Sequence, residues 1–344
     1  MIRSIPPRWV RRLVLWPLPV VIVWLYLLAV PLLLIIAAVL SYRLPGKLRL
    51  VRSIGLLTVY VATEAVVVVA GLALWIRFGF GTRLRSDRSI AAHYRLLELA
   101  LRVLVSMGRR LFVLRIDERS TRSTGGDLAS WPDEPLVVMS RHAGPADSFL
   151  LLHEVMSSHR RRPRIVAKGL LQLDPAFDIL LNRLPNEFIS NVPGQSAAAI
   201  AGIERLAADM VDGDALVIFP EGGNFTEARR IRAIDRLRRD GHEAAADRAS
   251  ELRNVLPPRP AGVRAALGAA PGAGAVFVAH TGLDDIATVG DLWFAMPDHK
   301  TLHVQSYVVP SELVPRTPSD QDEMLYLAWH GIDEWIGAVR AESG

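Results

Sequence analysis

From Leu13 to Leu40 the chain carries no charged residue. A bilayer is crossed by a helix of about 20 residues, so this run is long enough to span one. It is too long for a simple cleavable signal peptide and lacks a small-residue cleavage site. Pro17, Pro19 and Pro31 lie inside it, which predicts a kinked or broken helix. A second apolar run, Ile54 to Ile76, has Glu64 near its middle. A carboxylate in hydrocarbon is costly and is a functional candidate by default. A shallow, interfacial helix removes most of that cost, and this reading is preferred to a catalytic one. The two runs predict an N-terminal membrane-anchoring element over 1–85, leaving 86–344 for one catalytic domain.

Charge does not settle how the element meets the membrane. Arg3, Arg8, Arg11 and Arg12 flank the first run. Arg43, Lys47, Arg49 and Arg52 fill the connection, and Arg77, Arg83, Arg85 and Arg88 follow the second run. A two-span hairpin would place one basic cluster against the positive-inside tendency. A re-entrant or interfacial pair keeps all three on the cytoplasmic face. Both arrangements stand at this point.

Composition narrows the chemistry. The chain has no cysteine, which excludes a disulfide framework, a Cys zinc site and a thiol nucleophile. Its net charge of +5 favours an anionic lipid surface or a phosphorylated substrate, beside the plainer reading of a solvated basic surface. Arg160, Arg161, Arg162 and Arg164 could meet anionic headgroups or the phosphates of a carrier. The run from Arg229 to Arg239 reads mostly as a solvated helix face. No aromatic residues interleave with these arginines, so nucleic acid is not expected as a partner. No His/Asp/Glu cluster has metal-ligand spacing, and no metal is expected.

Beyond residue 85 the pattern alternates. Ser89 to Arg110 is an amphipathic helix with Leu96, Leu97, Leu99, Leu101, Leu104 and Val105 on its apolar face. Strand candidates are Phe112–Ile116, Leu136–Ser140, Arg164–Ala167, Phe188–Ser190, Ala215–Phe219, Ala275–Ala279 and Leu302–Val309. Helices are expected from Ala146 to Ser157, Ser196 to Val211, Arg229 to Leu252 and Asp320 to Val339. Asp117 to Pro135 reads as a surface loop. This alternation predicts an α/β domain with a mixed, largely parallel sheet flanked by helices.

Two short segments carry polar chemistry at strand ends. The first runs from Arg141-His142 through Gly144-Pro145 to Asp147; the second is Phe219-Pro220-Glu221-Gly222-Gly223-Asn224. An alcohol is a poor nucleophile until a base takes its proton, and neutral His suits that near pH 7. A carboxylate on the other ring nitrogen fixes the tautomer and stabilises the imidazolium. His-x4-Asp spacing alone is weak: His242/Asp247 and His280/Asp285 match it too. The former lies in a charged helical stretch, whereas the latter follows a strand and competes. Only His142/Asp147 precedes both an apolar helix and the Pro-Glu-Gly turn. The glycines of that turn leave backbone N–H groups able to approach a substrate, and Glu221 faces the same edge.

His142-x4-Asp147 followed by Phe219-Pro220-Glu221-Gly222 resembles the glycerolipid acyltransferases, the 1-acylglycerol-3-phosphate acyltransferase (lysophospholipid acyltransferase) superfamily. Lys168 with Pro175, then Phe188-Ile189, is similar to that family's second block. Phe225-Thr226 and Val255–Pro260 resemble its lysocardiolipin and lysophosphatidylinositol branch. The ordered match covers about Arg110 to Pro315. The resemblance implies His142 as general base, Asp147 as its orienting partner, and Glu221 with Gly222 as the acceptor-binding turn. It implies direct transfer from acyl-CoA or acyl carrier protein, as co-substrate rather than cofactor, to a lysolipid hydroxyl at the cytoplasmic face of the cell membrane.

Departures from the family pattern bear on the acceptor. Gly223-Asn224 stand where the family has Thr-Arg, and Asn191 stands where it has Arg. Either another cation substitutes, with Arg141, Lys168 and Arg229 as candidates, or the acceptor lacks a phosphate monoester. A lipid esterase using the same pair, and a non-catalytic lipid-binding or scaffold relative, remain alternatives.

Overall fold

The computed structural model describes residues 5–43, 48–122, 131–144, 147–189, 196–284 and 301–343. Its contacts divide the chain into two compact units. One contains Met1–Leu114 and Ala167–Val192; the other contains Arg115–Val166, Pro193–Asp291 and Lys300–Gly344.

In the first unit the leading apolar run forms a helix, Pro17–Ser41, that passes through Pro31 without interruption. The prolines Pro17 and Pro19 sit in its first turn, where the missing N–H costs nothing. The expected break is instead a widened turn at Arg11–Leu15, just ahead of the helix. The second run forms Arg49–Arg77 and the amphipathic segment forms Asp87–Phe112. Ser86 caps that third helix by accepting from the Ser89 N–H. A short helix, Pro175–Leu181, was not foreseen; Asp174 caps it and Pro175 opens it.

Glu64 is buried, but its partner is protein rather than lipid. Its Oε2 accepts from the Ala176 N–H at 3.2 Å, in the first turn of Pro175–Leu181. Arg11, also buried, pairs with Asp178 at 2.8 Å, and Trp16 donates to the other Asp178 oxygen. Arg183 donates to the Gly71 carbonyl and to His93 Nε2. His93 Nδ1 must itself donate, because it faces the Ser89 carbonyl at 2.7 Å. Burial, then the Arg183 charge, holds the His93 pKa below its usual value, so the ring is neutral.

The strands are β1 (Arg115–Arg122), β2 (Leu136–Ser140), β3 (Arg162–Lys168), β4 (Glu187–Ile189), β5 (Asp214–Ile218), β6 (Gly274–Thr281) and β7 (Thr301–Val309). They form a seven-stranded sheet in the order β1-β7-β6-β2-β5-β3-β4. β2 runs parallel to both β5 and β6, β5 parallel to β3, and β1 parallel to β7. Only β6 and β7 pair antiparallel among the described ladders. The fold is therefore α/β with a mixed, mostly parallel sheet flanked by helices, as the alternation predicts.

The central strands β2, β5 and β6 are buried along their whole length, which is why they read as continuous apolar runs. The closing helix, Pro318–Ser343, places Leu325, Trp329, Ile332 and Ile336 in the core, each fully buried. β1 is the clear departure from expectation. Its sequence, Arg-Ile-Asp-Glu-Arg-Ser-Thr-Arg, is polar because it forms a sheet edge. The expected Asp117–Pro135 loop is thus a strand up to Arg122. A second unforeseen helix, Pro260–Ala269, is announced only by Pro260 at its start.

Candidate active site

In an open α/β sheet the polar chemistry collects outside the carboxyl ends of the strands. β2, β5 and β6 are parallel and adjacent, so their carboxyl ends share one edge. His142 follows β2, the Pro220-Glu221-Gly222 turn follows β5, and His280 is near the end of β6. The two turns are stitched together where the Phe225 N–H donates to the His142 carbonyl at 2.7 Å. The His142 ring rests on Phe219, with ring centroids 4.7 Å apart.

Asp147 opens the helix Asp147–Ser157 and reaches back over its own turn. Its Oδ2 accepts from the Ala143 N–H at 2.6 Å and the Gly144 N–H at 2.5 Å. The same oxygen lies 3.5 Å from His142 Nδ1 and 3.8 Å from His280 Nε2. The loop therefore solves the spacing problem, since five residues on one straight helix would put the pair about 140° apart. Burial pushes the Asp147 carboxyl up, but the neighbouring His280, the His142 ring and the Gly144 N–H pull it further down. The net shift is below the usual range, and the group is a carboxylate near neutral pH. The His142–Asp147 contact is longer than a good charge-assisted bond, because two amides already occupy that oxygen.

His280 belongs to the same site rather than to a competing one. Its Nε2 faces the Arg141 carbonyl at 3.1 Å, so Nε2 carries the proton. Burial lowers its pKa and keeps it neutral. The partner expected for it, Asp285, lies outside the described residues, as does Asn191. The third match, His242 and Asp247, is solvent-exposed on both members, as expected.

Glu221 is fully enclosed, 2% exposed, and neither carboxyl oxygen makes a well-formed hydrogen bond among the described residues. Burial pushes its pKa up to about 8, with Asp147 adding to the rise. The Arg141 charge and the backbone N–H groups of Leu256 and His142 oppose it. Gly222 has φ +70°, a conformation that favours glycine, and an added Cβ would stand 3.0 Å from the Arg259 guanidinium. Its N–H is not free for a substrate, since it closes the turn onto the Phe219 carbonyl at 3.1 Å.

The relocated-cation expectation changes most. Arg141 is completely buried. Its Nη1 donates to the His280 carbonyl at 2.6 Å and pairs with Asp284 at 2.5 Å, while Nη2 reaches the Asn254 carbonyl at 3.2 Å. With no exposed surface, Arg141 braces the turn that carries His142 and cannot grip an acceptor headgroup. Much of the basic run after Ser157 is likewise internal. Arg161 donates to the Asp133 and Glu134 carbonyls, and Arg164 pairs with Asp214 and Asp209. Lys168 is exposed at the end of β3 and is grouped with the first unit.

Two other cations border the turn. Arg229 approaches Gly223 and donates to the Asn224 carbonyl at 2.9 Å. Arg259 lies over Gly222, and among the described residues no carboxylate pairs with it. Partial burial and the Arg236 charge lower its pKa, consistent with a cation lacking a counter-ion. Sequence reasoning singled out Val255–Pro260 only as a block; the lone charge between Pro258 and Pro260 was the signal for Arg259.

The comparison with curated proteins gives no match. Residues 117–281 match the model of the family described as Acyltransferase, and this stretch runs from β1 to the end of β6. It encloses His142, Asp147, Glu221 and His280. Residues 117–281 are thus similar to the Acyltransferase family, and acyl transfer is the reaction class that this similarity supports.

Proposed function

We propose that this chain is a membrane-associated O-acyltransferase. It moves a fatty acyl group from acyl-CoA or acyl carrier protein to a hydroxyl of a lysophospholipid or related lipid. The observation that carries the reading is the meeting of His142–Asp147 with the Glu221-Gly222 turn at one sheet edge, inside the family-matched segment.

In this reading His142 Nε2 takes the acceptor hydroxyl proton as the oxygen attacks the thioester carbonyl. The ester bond forms, the carbon–sulfur bond breaks, and the proton passes to the departing thiolate. Asp147, held as a carboxylate, favours the imidazolium that forms between these events. Glu221, protonated near neutral pH, can both donate to and accept from an acceptor oxygen. Arg259 and Arg229, beside Gly222-Gly223-Asn224, take the place of the family's missing arginines and receive an acceptor phosphate. Lys168 is assigned to the same headgroup on the strength of its block resemblance alone. The domain works at the cytoplasmic face of the cell membrane, where the apolar N-terminal helices hold it.

The test is transfer of a labelled acyl group from acyl-CoA across a panel of lysolipids, in wild type and His142→Ala. Loss of a proton-transfer base lowers the rate by on the order of 10²–10⁴-fold. Transfer that survives the substitution rejects the mechanism. Thioester hydrolysis without transfer identifies an esterase, and activity in neither protein identifies a binding or scaffold role.

A further inference from the structure

A second cluster of ionisable groups lies behind the reaction site. Glu118 of β1, Glu154 of the Asp147–Ser157 helix and His159 beyond it bring one ligand atom each to within 4.8 Å of one another. His159 Nε2 stands 3.2 Å from Glu118 Oε1. The His159 side chain is 4% exposed, and neither ring nitrogen makes a well-formed hydrogen bond among the described residues. The imidazole is thus buried beside two carboxylates, with Nε2 facing Glu118 and Nδ1 without a well-formed hydrogen bond among the described residues, and such a donor set is ready to take an ion.

The surroundings hold the ring in place. Trp131 stacks on His159 at 3.9 Å with 9° between the planes. The Trp131 indole N–H is fixed by Ser306 Oγ at 3.2 Å, and Ser306 in turn donates to Ser120. A cavity opens beside the cluster. Glu118, Glu154 and Trp131 line one part of it, and Asp147 and His280 line another. The cluster thus has an opening as well as three donors.

We propose that Glu118, Glu154 and His159 bind one divalent transition-metal ion of the zinc class, with a further coordination position facing the cavity. The donor set is the argument for the class. One imidazole with two carboxylates suits zinc and its neighbours, whereas magnesium and calcium sites are built from oxygen. Ligand atoms about 2.1 Å from a tetrahedral ion lie roughly 3.4 Å apart, close to the observed His159–Glu118 separation.

The site has a structural consequence. Glu154 lies two turns along the helix from Asp147, about 10 Å up its axis. An ion there cross-links the polar edge strand β1 to the helix that presents the carboxylate of the reaction site. The assignment does not rest on the acyltransferase reading.

The experiment uses tag-free full-length protein stripped with chelator and titrated with Zn²⁺ by calorimetry. Co²⁺ absorption serves as a second probe, and thermal unfolding is followed alongside. One equivalent of Zn²⁺ is expected to bind saturably and to raise the melting temperature. Glu118→Gln, which keeps the side-chain shape, and His159→Ala should each weaken binding by at least on the order of 10–100-fold. The exposed His242→Ala should bind as wild type does. Absence of saturable binding in wild type, or equal affinity in wild type and the folded Glu118→Gln variant, overturns the proposal.

Discussion

Glu221 shows how one residue's surroundings set its charge. Its folded-state pKa is raised to about 8 against an ordinary 4.5, chiefly by burial. Between those values the folded carboxyl holds its proton while the unfolded one has released it. The stability contributed by the protonated group is therefore fully present below pH 4.5 and is lost as pH rises to about 8. Glu221→Gln keeps the shape and removes the titration. Thermal unfolding of the variant should match wild type near pH 4.5 and exceed it progressively towards pH 8; parallel curves across that range would show that Glu221 titrates normally. Arg259 carries a different expectation. Arg259→Ala should raise the KM for a phosphate-bearing acceptor by about 10–100-fold, the equivalent of a charge-assisted bond of roughly 1.5–3 kcal/mol. The KM for an uncharged acceptor should not move. That His142 and Glu221 share one sheet edge was legible in the sequence because each follows an apolar strand, and Asp147 was placed there by the helix it begins. Arg141 was misassigned, because a guanidinium reads as exposed until Asp284, Asn254 and the end of β6 are seen to close around it.

Among the elements, the strap from Arg253 to Arg259 links the site to the closing helix. Asn254 receives Arg141, and the Arg259 N–H donates to the Pro220 carbonyl at 3.0 Å. Asp333 and Arg340, seven residues apart on one face of the closing helix, hold the strap from behind. Asp333 Oδ1 accepts from the Arg253 and Asn254 N–H groups, while Arg340 reaches both Asn254 and Asp284. Asp333→Ala would strip two backbone donors of their acceptor. It should cost about 1–3 kcal/mol in urea unfolding and lower kcat as well, because the strap braces Arg141. A drop in stability with kcat intact would uncouple the strap from the turn. Long periodic elements were readable in advance: the closing helix and β2, β5, β6 and β7 appear where the pattern puts them. β1 was not, because an edge strand needs no apolar run. The Glu118–Glu154–His159 cluster was also invisible, since Glu118 lies on a distant edge strand and only the fold brings it to the end of the helix that carries Glu154 and leads to His159.

For the molecule as a whole, the open issue is how the two apolar helices meet a membrane. The partners of the second helix within the first unit bear on it. Along Arg49–Arg77, Arg52 donates to the Leu111 carbonyl, Tyr60 to Asp174, Glu64 accepts from Ala176, and Gly71 receives Arg183. From Arg52 to Gly71 these contacts cover about 28 Å of helix, nearly the full hydrocarbon thickness of about 30 Å. A transmembrane placement would carry Asp174, Asp178 and Arg183 into the bilayer with it, at the cost expected for buried charge in lipid. An interfacial or re-entrant placement leaves that polar face in protein and water, with the exposed apolar residues of Pro17–Ser41 turned to lipid. The absence of cysteine makes this directly measurable. Single cysteines at the exposed positions Arg43 and Arg85 bracket the second helix. In sealed, oriented vesicles both should react with an impermeant maleimide from the same, cytoplasmic side. Labelling from opposite sides would make the second helix a true span, and its polar face would then have to line a cavity inside the membrane.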